Sequence, residues 1–158
     1  MEVDAIRSFL SGSFQGEGRG GYPNISNFEY FENIDLVLSP KGFLAYRSTT
    51  KSKVDGSPMH TECGYLRVIS QDKAELIIAQ PTGLAEVAVG LIFVDGEEVT
   101  LRVEAVPAVS PSAKAVGRTL RELRFGADTL NYNFHMETDM VEMTWHLSAE
   151  LRRIGGDR

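Results

Sequence analysis

The sequence has little cysteine, no long apolar run and no low-complexity segment. Cys63 is the single cysteine among 158 residues, so no disulfide can form within the chain and a reducing cytoplasm is the expected compartment. The chain starts without the basic and apolar segments of an export signal, so none is predicted. Its most apolar stretch, residues 83–94, contains Glu86 and is well short of the roughly 20 residues that a membrane-spanning helix needs. We therefore expect neither a disulfide-rich secreted protein nor a membrane protein.

Positive charge is also in short supply. Lys and Arg total 16 against 22 Asp and Glu, which gives a net charge of −6 at pH 7. An acidic chain offers no general attraction for nucleic acid or for an anionic membrane surface, so neither is an expected partner. Apolar residues make up 42% and charged residues 24%, close to the averages for globular domains. The length predicts one domain over residues 1–158.

One helix is predicted, and the rest of the pattern is that of strands. Val3, Ile6 and Leu10 recur at helical spacing, so residues 2–11 predict a short amphipathic helix, which Gly12 follows. Further along, apolar residues alternate with other residues, which is typical of strands with one apolar face. The apolar members are Phe28, Tyr30, Ile34, Leu36 and Leu38; Ala85, Val87, Val89, Leu91 and Phe93; Val99, Leu101, Val103 and Ala105; and Leu130, Tyr132, Phe134 and Met136.

Short turns connect these strands. Turn sequences lie at residues 39–42, 55–58, 71–72, 95–96 and 126–128. Strands joined in this way are antiparallel neighbours, and such a sheet loses its exposed edges when it closes on itself. The sequence therefore predicts an all-β fold, a closed antiparallel up-and-down β-barrel with a short N-terminal helix, rather than a sandwich. The looser residues 107–114 are expected to form a loop at one mouth.

The most unusual local composition is the glycine-rich segment of residues 12–23, GSFQGEGRGGYP. A phosphate-binding loop is one interpretation, but such loops lead into a helix N-terminus, and here Tyr22 and Pro23 are followed by another strand. The alternative is a strand in which Gly16, Gly18 and Gly20 leave one face bare. Either a neighbouring strand or a flat ligand would then lie against the backbone.

A second candidate site is the segment His60-Thr61-Glu62-Cys63. His-x-Glu is half of a zinc-deaminase signature, but the other half needs two cysteines, and two ligands alone do not hold zinc. We therefore interpret His60 as a histidine that lines the barrel beside a carboxylate. Cys63 is expected to be a small buried residue on the opposite face of the strand, which argues against a Cys-His nucleophile pair.

Two further histidines lie near the C-terminus. His135 is opposite the apolar face of its strand, so we expect it to be exposed. The same alternation sets His146 opposite Trp145 and Leu147, on the outside of the last strand. If the barrel encloses a cavity, a polar side chain can face either the cavity or the solvent, so a ligand role for His146 stays open.

Residues 12–23 resemble the Gly-x-Trp-x-Gly-x-Gly-x-Gly-x-Tyr-Pro signature of the nitrobindin family, small heme-binding β-barrels similar to fatty-acid-binding proteins. The signature positions are Gly12, Phe14, Gly16, Gly18, Gly20, Tyr22 and Pro23. Further matches follow in the family's order and spacing at residues 28–30, 58–67, 79–83, 113–114 and 146–147. The resemblance covers almost the whole chain.

The resemblance implies a barrel of about ten strands that holds one ferric heme b per chain. His146 is implied as the axial ligand of the iron and, through the iron, as the catalytic residue. The other heme face has an open coordination position in this family, screened by mostly apolar side chains. The corresponding residues here are Met59, His60, Gln80 and Met136. The bare glycine backbone would admit the flat macrocycle.

Two positions depart from the family pattern. Phe14 replaces the signature tryptophan, which keeps an aromatic wall but loses the indole N–H. Asn24 stands where the family has threonine after Tyr-Pro, and its amide retains donor and acceptor groups for a contact with heme. Lys114, on the mouth loop, is expected either to pair with a heme propionate or to be a solvated surface lysine.

The function implied by the resemblance is isomerisation of peroxynitrite to nitrate at the open iron site, with nitric oxide as a further ligand. His60 would donate a hydrogen bond on the open side. One alternative is a non-enzymatic carrier of an apolar ligand, such as a fatty acid or a free tetrapyrrole. Another is a heme-based nitric oxide sensor that signals through contact with a partner, although no outer apolar patch is evident for that contact. A homodimer is left open.

Overall fold

The computed structural model describes residues 1–155. One helix and eleven strands succeed one another along this part of the chain, which has no helix long and apolar enough to cross a membrane. They are α1 (Val3–Leu10), β1 (Gly12–Tyr22), β2 (Ile25–Leu38), β3 (Phe43–Ser52), β4 (Pro58–Val68), β5 (Lys73–Gln80), β6 (Leu84–Asp95), β7 (Glu98–Ala105), β8 (Ala108–Val109), β9 (Arg118–Phe125), β10 (Thr129–Glu137) and β11 (Thr144–Ile154).

The strands form one antiparallel sheet that closes on itself. From β1 to β7 each strand pairs with the next, β7 then pairs with β9, and β10 and β11 follow in order. The last strand pairs with the first, with Leu151 opposite Gly16 and Leu147 opposite Gly20, and this pairing completes the ring. β8 has two residues and pairs with the start of β6, outside the ring. The predicted closed antiparallel barrel with a short N-terminal helix is therefore confirmed.

The helix α1 packs at one end of the barrel. Arg7 donates from Nη2 to the carbonyl oxygen of Val68 at the end of β4, at 2.9 Å. Arg153, near the end of β11, donates from Nη2 to the carbonyl oxygen of Phe9 at 3.0 Å, which satisfies a carbonyl group that the helix C-terminus leaves open. Two fully buried side chains anchor the helix in the core: Ile6 and Leu10.

The apolar core lies next to α1. Phe14 and Phe125 are fully buried there, with ring centroids 5.9 Å apart, and the guanidinium of Arg153 lies 4.5 Å from the centre of the Phe14 ring. Phe14 therefore belongs to this core and not to the cavity described below, so its departure from tryptophan falls in the core. Other fully buried members of the core are Leu44, Leu101, Leu130 and Leu151.

The strand β6 carries its apolar face on the outside of the barrel. Val87 and Val89 are 64% and 56% exposed, whereas Glu86 and Ala88 point inward and are buried. Glu86 pairs with the buried Arg121 inside the barrel, and strand alternation then turns its neighbours outward. The sequence alone did not reveal this outer apolar face. The outward apolar face of β6 consists of Ala85, Val87, Val89, Leu91 and Phe93.

The glycine-rich strand β1 accommodates two aromatic rings from β2. Gly18 lies opposite Tyr30 and Gly20 opposite Phe28, and a Cβ on either glycine would overlap the ring of its partner. The neighbouring-strand interpretation therefore describes this bare face. At Gly18 and Gly20 the two rings already cover the backbone, so these two glycines do not present a bare surface to a flat macrocycle.

We expect the substitution Gly18→Ala to lower the free energy of unfolding by about 1–3 kcal/mol, because the new Cβ overpacks against the Tyr30 ring. Urea denaturation measures this change. Gly117→Ala is the matched control, since its Cβ would meet only Glu137, with the flexible side-chain Oε1 at 3.3 Å and the main-chain oxygen at an ordinary contact distance of 3.7 Å. Equal losses of stability in the two variants would contradict the steric explanation.

Candidate functional site

A cavity of about 790 Å³ lies at the end of the barrel away from α1. Residues 112–116, in the loop between β8 and β9, contribute to its wall. This segment overlaps the predicted mouth loop of residues 107–114, although residues 108–109 of that loop form β8. The residues assigned to cofactor binding in the sequence analysis all line this one cavity. They are Asn24, Met59, His60, Gln80, Lys114, Met136 and His146.

His146 points into the cavity, although alternation along β11 sets it outside. The pairing of β10 with β11 shifts at this point, since Phe134 lies opposite Leu147 whereas His135 lies opposite Trp145. His146 is therefore the extra residue of a β-bulge, and the bulge turns both His146 and Leu147 toward the cavity. Strict period-two reasoning fails here because a bulge re-aims a side chain.

The main chain of β1 fixes the orientation of the His146 imidazole. Its Nδ1 lies 2.9 Å from the carbonyl oxygen of Gly21. Because a carbonyl oxygen only accepts, Nδ1 carries the proton, and Nε2 holds a lone pair that is available to a metal. Burial lowers the pKa of His146, and the charge of His60 lowers it further, whereas the bond to Gly21 opposes both.

Three aromatic rings pack around His146. The Tyr22 and Phe28 rings meet it edge to face, at centroid distances of 5.5 and 6.4 Å, and the Phe134 ring is tilted against it at 6.0 Å. Tyr22 is itself fixed, because its hydroxyl donates to the carbonyl oxygen of Met136 at 3.0 Å. The imidazole is therefore held both by a hydrogen bond and by packing.

His60 lines the cavity from β4. Its main-chain N–H donates to Thr50 Oγ1 at 2.8 Å, and its ring Nε2 lies 3.3 Å from Glu62 Oε1. The interpretation of His60 as a lining histidine beside a carboxylate is confirmed. The prediction that Cys63 is buried is wrong: its side chain is exposed, because the inward position of Glu62 forces the next residue outward.

A buried cluster of ionised side chains forms the floor of the cavity. Arg121 donates from Nη2 to Glu62 at 3.0 Å and to Glu86 at 2.8 Å, and its Nη1 lies 3.3 Å from the other Glu62 oxygen. Its guanidinium also lies 4.4 Å from the centre of the Phe134 ring. Burial alone would raise the pKa of Glu62, but the charge of Arg121 and the hydrogen bond with His60 hold it at about 2. Glu62 is therefore a carboxylate at neutral pH.

Glu32 occupies a different electrostatic environment in the same floor. It accepts hydrogen bonds from Ser48 at 2.6 Å and from Tyr132 at 2.7 Å, and the Tyr132 hydroxyl lies 2.7 Å from that of Tyr30. Burial raises the pKa of Glu32 from 4.5 to about 7, because these neutral hydroxyls only partly offset the loss of solvation and the negative charge of Glu62 opposes ionisation.

The remaining candidates lie at the rim or outside the cavity. Asn24 and Lys114 are exposed at the rim, and Pro23 is exposed in the turn before β2. His135 lies outside the cavity, as alternation predicts, but it is partly buried rather than fully exposed. Among residues 1–155, no three His, Cys, Asp or Glu side chains converge as ligands of a metal ion.

Sequence reasoning missed the floor of the cavity. Arg121, Glu32 and Tyr132 come from three strands and share no local motif. The one available signal was Glu86, a carboxylate inside the most apolar stretch of the chain, because such a residue in a strand often has a buried partner.

The chain matches known proteins along nearly its whole length. The family model described as a THAP4-like, heme-binding beta-barrel domain matches residues 6–153. Over 144 residues the chain is 40% identical to peroxynitrite isomerase 1 of Rhodococcus jostii, covering 91% of this chain and 80% of that protein. Over 153 residues it is 36% identical to peroxynitrite isomerase 2 of Mycobacterium ulcerans, covering 96% and 94%. The crystal structure of Rv2717c from M. tuberculosis superposes with a TM-score of 0.93 at 35% identity, covering 97% and 98%.

The raised pKa of Glu32 predicts a pH-dependent stability. The folded protein binds this proton more tightly than the unfolded chain, so the contribution is fully present below pH 4.5 and is lost as the pH rises through about 7. Relative to Glu32→Gln, we expect the wild type to lose on the order of 3 kcal/mol of unfolding free energy between pH 4.5 and about pH 8. Urea denaturation at the two pH values measures the difference, and parallel pH profiles of the two proteins would refute the assignment.

Proposed function

This chain belongs to the family of THAP4-like, heme-binding β-barrel domains, and on that premise we propose that it is a heme-dependent peroxynitrite isomerase. The finer part of the proposal is that the cavity takes one ferric heme b with His146 as its axial ligand. The relatives named as peroxynitrite isomerases support the reaction class. The residues that the family model matches contain the whole cavity, which supports the location.

The observation that carries the proposal is the position of His146 in an aromatic-walled cavity with its Nε2 lone pair available. A single neutral imidazole is a common axial donor for heme iron, and a hydrogen bond from its other nitrogen to a carbonyl group is the usual support for such a ligand. The cavity of about 790 Å³ lies within the range of roughly 300–1,000 Å³ typical of ligand sites. The donor and the walls therefore fit the group.

When bound, ferric heme supplies a Lewis-acidic iron with a vacant position for an anionic oxidant. The residues of this chain would do the rest. His146 would anchor the cofactor from one wall, and the Phe28 and Phe134 rings would keep its imidazole from rotating. Met59 and Met136 line the same cavity and would limit the access of water to the reacting group.

The charges of the cavity favour one orientation of the cofactor. The floor carries Glu62 and Glu86 against the single cation Arg121, so it repels the carboxylates of a propionate-bearing macrocycle. The rim carries Lys114, a cation exposed to solvent. We therefore expect the propionates to point toward the rim, where the Lys114 ammonium and the amide of Asn24 would meet them.

Two further parts of the proposal concern the ligand and the compartment. Nitric oxide is a neutral diatomic molecule, so it would bind the vacant position without a counter-charge from the walls. The exposed thiol of Cys63, the single cysteine of the chain, fits a reducing cytoplasm.

A fatty-acid carrier is the alternative that the floor of the cavity argues against. A buried arginine would be the natural partner of a fatty-acid carboxylate. Arg121 is instead engaged by the carboxylates of Glu62 and Glu86. A further carboxylate would have to approach this acidic cluster without a free cation.

We expect His146→Ala to weaken hemin binding at least about 100-fold, because it removes the ligand while the cavity remains. Titration with hemin, followed by the position and intensity of the Soret band, measures the affinity. His135→Ala is the matched control, since His135 lies outside the cavity on the adjacent strand. An unchanged Soret band in His146→Ala would overturn the axial assignment.

The hemin-loaded wild type is expected to accelerate the decay of peroxynitrite and to raise the yield of nitrate. Stopped-flow absorbance measures the decay, and nitrate analysis measures the product. His146→Ala at equal total hemin should lose most of the acceleration, whereas His135→Ala should keep it. Decay at the rate of hemin in buffer alone would reject the enzymatic function.

A further inference from the structure

We propose that Glu62, clamped by Arg121, holds the ring of His60 away from the heme iron and so keeps the position opposite His146 open. Glu62 and Arg121 are then positioning residues that set the number of iron ligands. This inference rests on the proposed function, since it assumes that heme occupies the cavity with His146 as its ligand.

The two histidines of the cavity use different ring nitrogens for their hydrogen bonds. In His146, Nδ1 is engaged by the Gly21 carbonyl oxygen and the outer nitrogen, Nε2, is available. In His60, the outer nitrogen is the engaged one, since Nε2 lies 3.3 Å from Glu62 Oε1. The outer nitrogen extends furthest from the backbone, so this contact removes the atom with which His60 would most easily reach a metal.

The ionisation state of Glu62 determines which partner donates in its hydrogen bond with His60. The low pKa of Glu62 keeps it a carboxylate at neutral pH, and a carboxylate only accepts. His60 Nε2 therefore carries a hydrogen and donates it, so it has no lone pair for iron. Among the described residues, Glu62 is the hydrogen-bond partner of this ring. The main-chain N–H and carbonyl oxygen of His60 are both hydrogen-bonded to the Thr50 hydroxyl.

Glu62 is itself rigidly held. Four donor groups converge on its two oxygens: Nη1 and Nη2 of Arg121, the Tyr46 hydroxyl at 3.1 Å, and Nε2 of His60. Arg121 is fixed in turn by Glu86 and by the Phe134 ring. A network in which each group has several partners gives Glu62 little freedom to follow His60 toward the cavity.

Without this tether, the cavity would contain two imidazoles on facing walls. His60 on β4 and His146 on β11 both line the cavity, with three strands between them in the closed sheet. The side chain of His60 is only partly buried, so its ring has room to move. A heme between two available imidazoles binds both and loses its vacant position. The Arg121–Glu62 pair would therefore be needed for any reaction at the iron.

The test is Glu62→Gln in the hemin-loaded ferric protein. A carboxamide has one accepting oxygen, which Arg121 would take, and its NH₂ group would face the donor nitrogen of His60. We expect electron paramagnetic resonance and absorption spectra to change from high-spin in the wild type to predominantly low-spin in the variant. The affinity for azide should fall at least about tenfold, in proportion to the iron that remains open.

The second substitution Glu62→Gln/His60→Leu should restore the high-spin spectrum, because it removes the competing imidazole. Glu150→Gln is the matched control: it removes a carboxylate from the outer face of β11 and should leave the spectrum unchanged. A high-spin spectrum in folded, loaded Glu62→Gln would overturn the inference. So would a low-spin spectrum that persists after His60 is removed.

If Glu62→Gln does not keep the barrel by circular dichroism, Glu62→Asp serves in its place. Its carboxylate keeps the charge that Arg121 needs but is one methylene shorter, so it cannot hold both Arg121 and His60. We expect a mixture of spin states that becomes high-spin in Glu62→Asp/His60→Leu, and a purely high-spin Glu62→Asp would overturn the inference. Failure of the proposed function is distinguishable, because it is read from proteins that keep Glu62: an unchanged Soret band in His146→Ala, or wild-type peroxynitrite decay no faster than with hemin in buffer.

Discussion

The hydrogen bond between His146 Nδ1 and the Gly21 carbonyl oxygen is the interaction on which the site depends. It joins residues 125 positions apart in the chain, so it exists only when β1 and β11 close the barrel. The pairing of these two strands ends at Gly20 and Leu147. Just beyond it, the carbonyl oxygen of Gly21 accepts a hydrogen bond from the side chain of His146. Closure of the sheet, the bulge at His146 and the position of the proton on its imidazole therefore depend on one another.

The floor of the cavity shows how the barrel tolerates buried charge. A buried ion is costly unless it is paired and hydrogen-bonded, and here one arginine serves two carboxylates while a tyrosine hydroxyl supplies a further donor. Glu32 has no cation as a hydrogen-bond partner. Burial raises its pKa to about 7, so its charge is partly removed at neutral pH, and the hydroxyls of Ser48 and Tyr132 donate hydrogen bonds to it. The apolar core lies beside α1, and the opposite end is hollow, with apolar walls and a charged floor.

Local patterns in the sequence predict the strands, the turns and the single helix, because these follow from side-chain spacing and turn chemistry. They fail where a contact between distant strands overrides the local preference. Glu86 is drawn inward by Arg121, which turns Val87 and Val89 outward, and Glu62 does the same to Cys63. The prediction for His146 is wrong for another reason: a bulge interrupts the alternation, and the position of the bulge depends on the partner strand.

By itself, the sequence determined an acidic all-β chain with one short helix, and its resemblance to a known family pointed to part of the cavity lining, though not to the charged floor. Tertiary structure alone decided that Tyr30 and Phe28 cover the glycines, that Phe14 belongs to the core, and that Arg121 ties Glu62 beside His60. The physical reason is the distance along the chain over which each effect acts. Spacing and turn residues act over a few positions, whereas burial, pKa and hydrogen-bond direction depend on groups that only the closed barrel brings together.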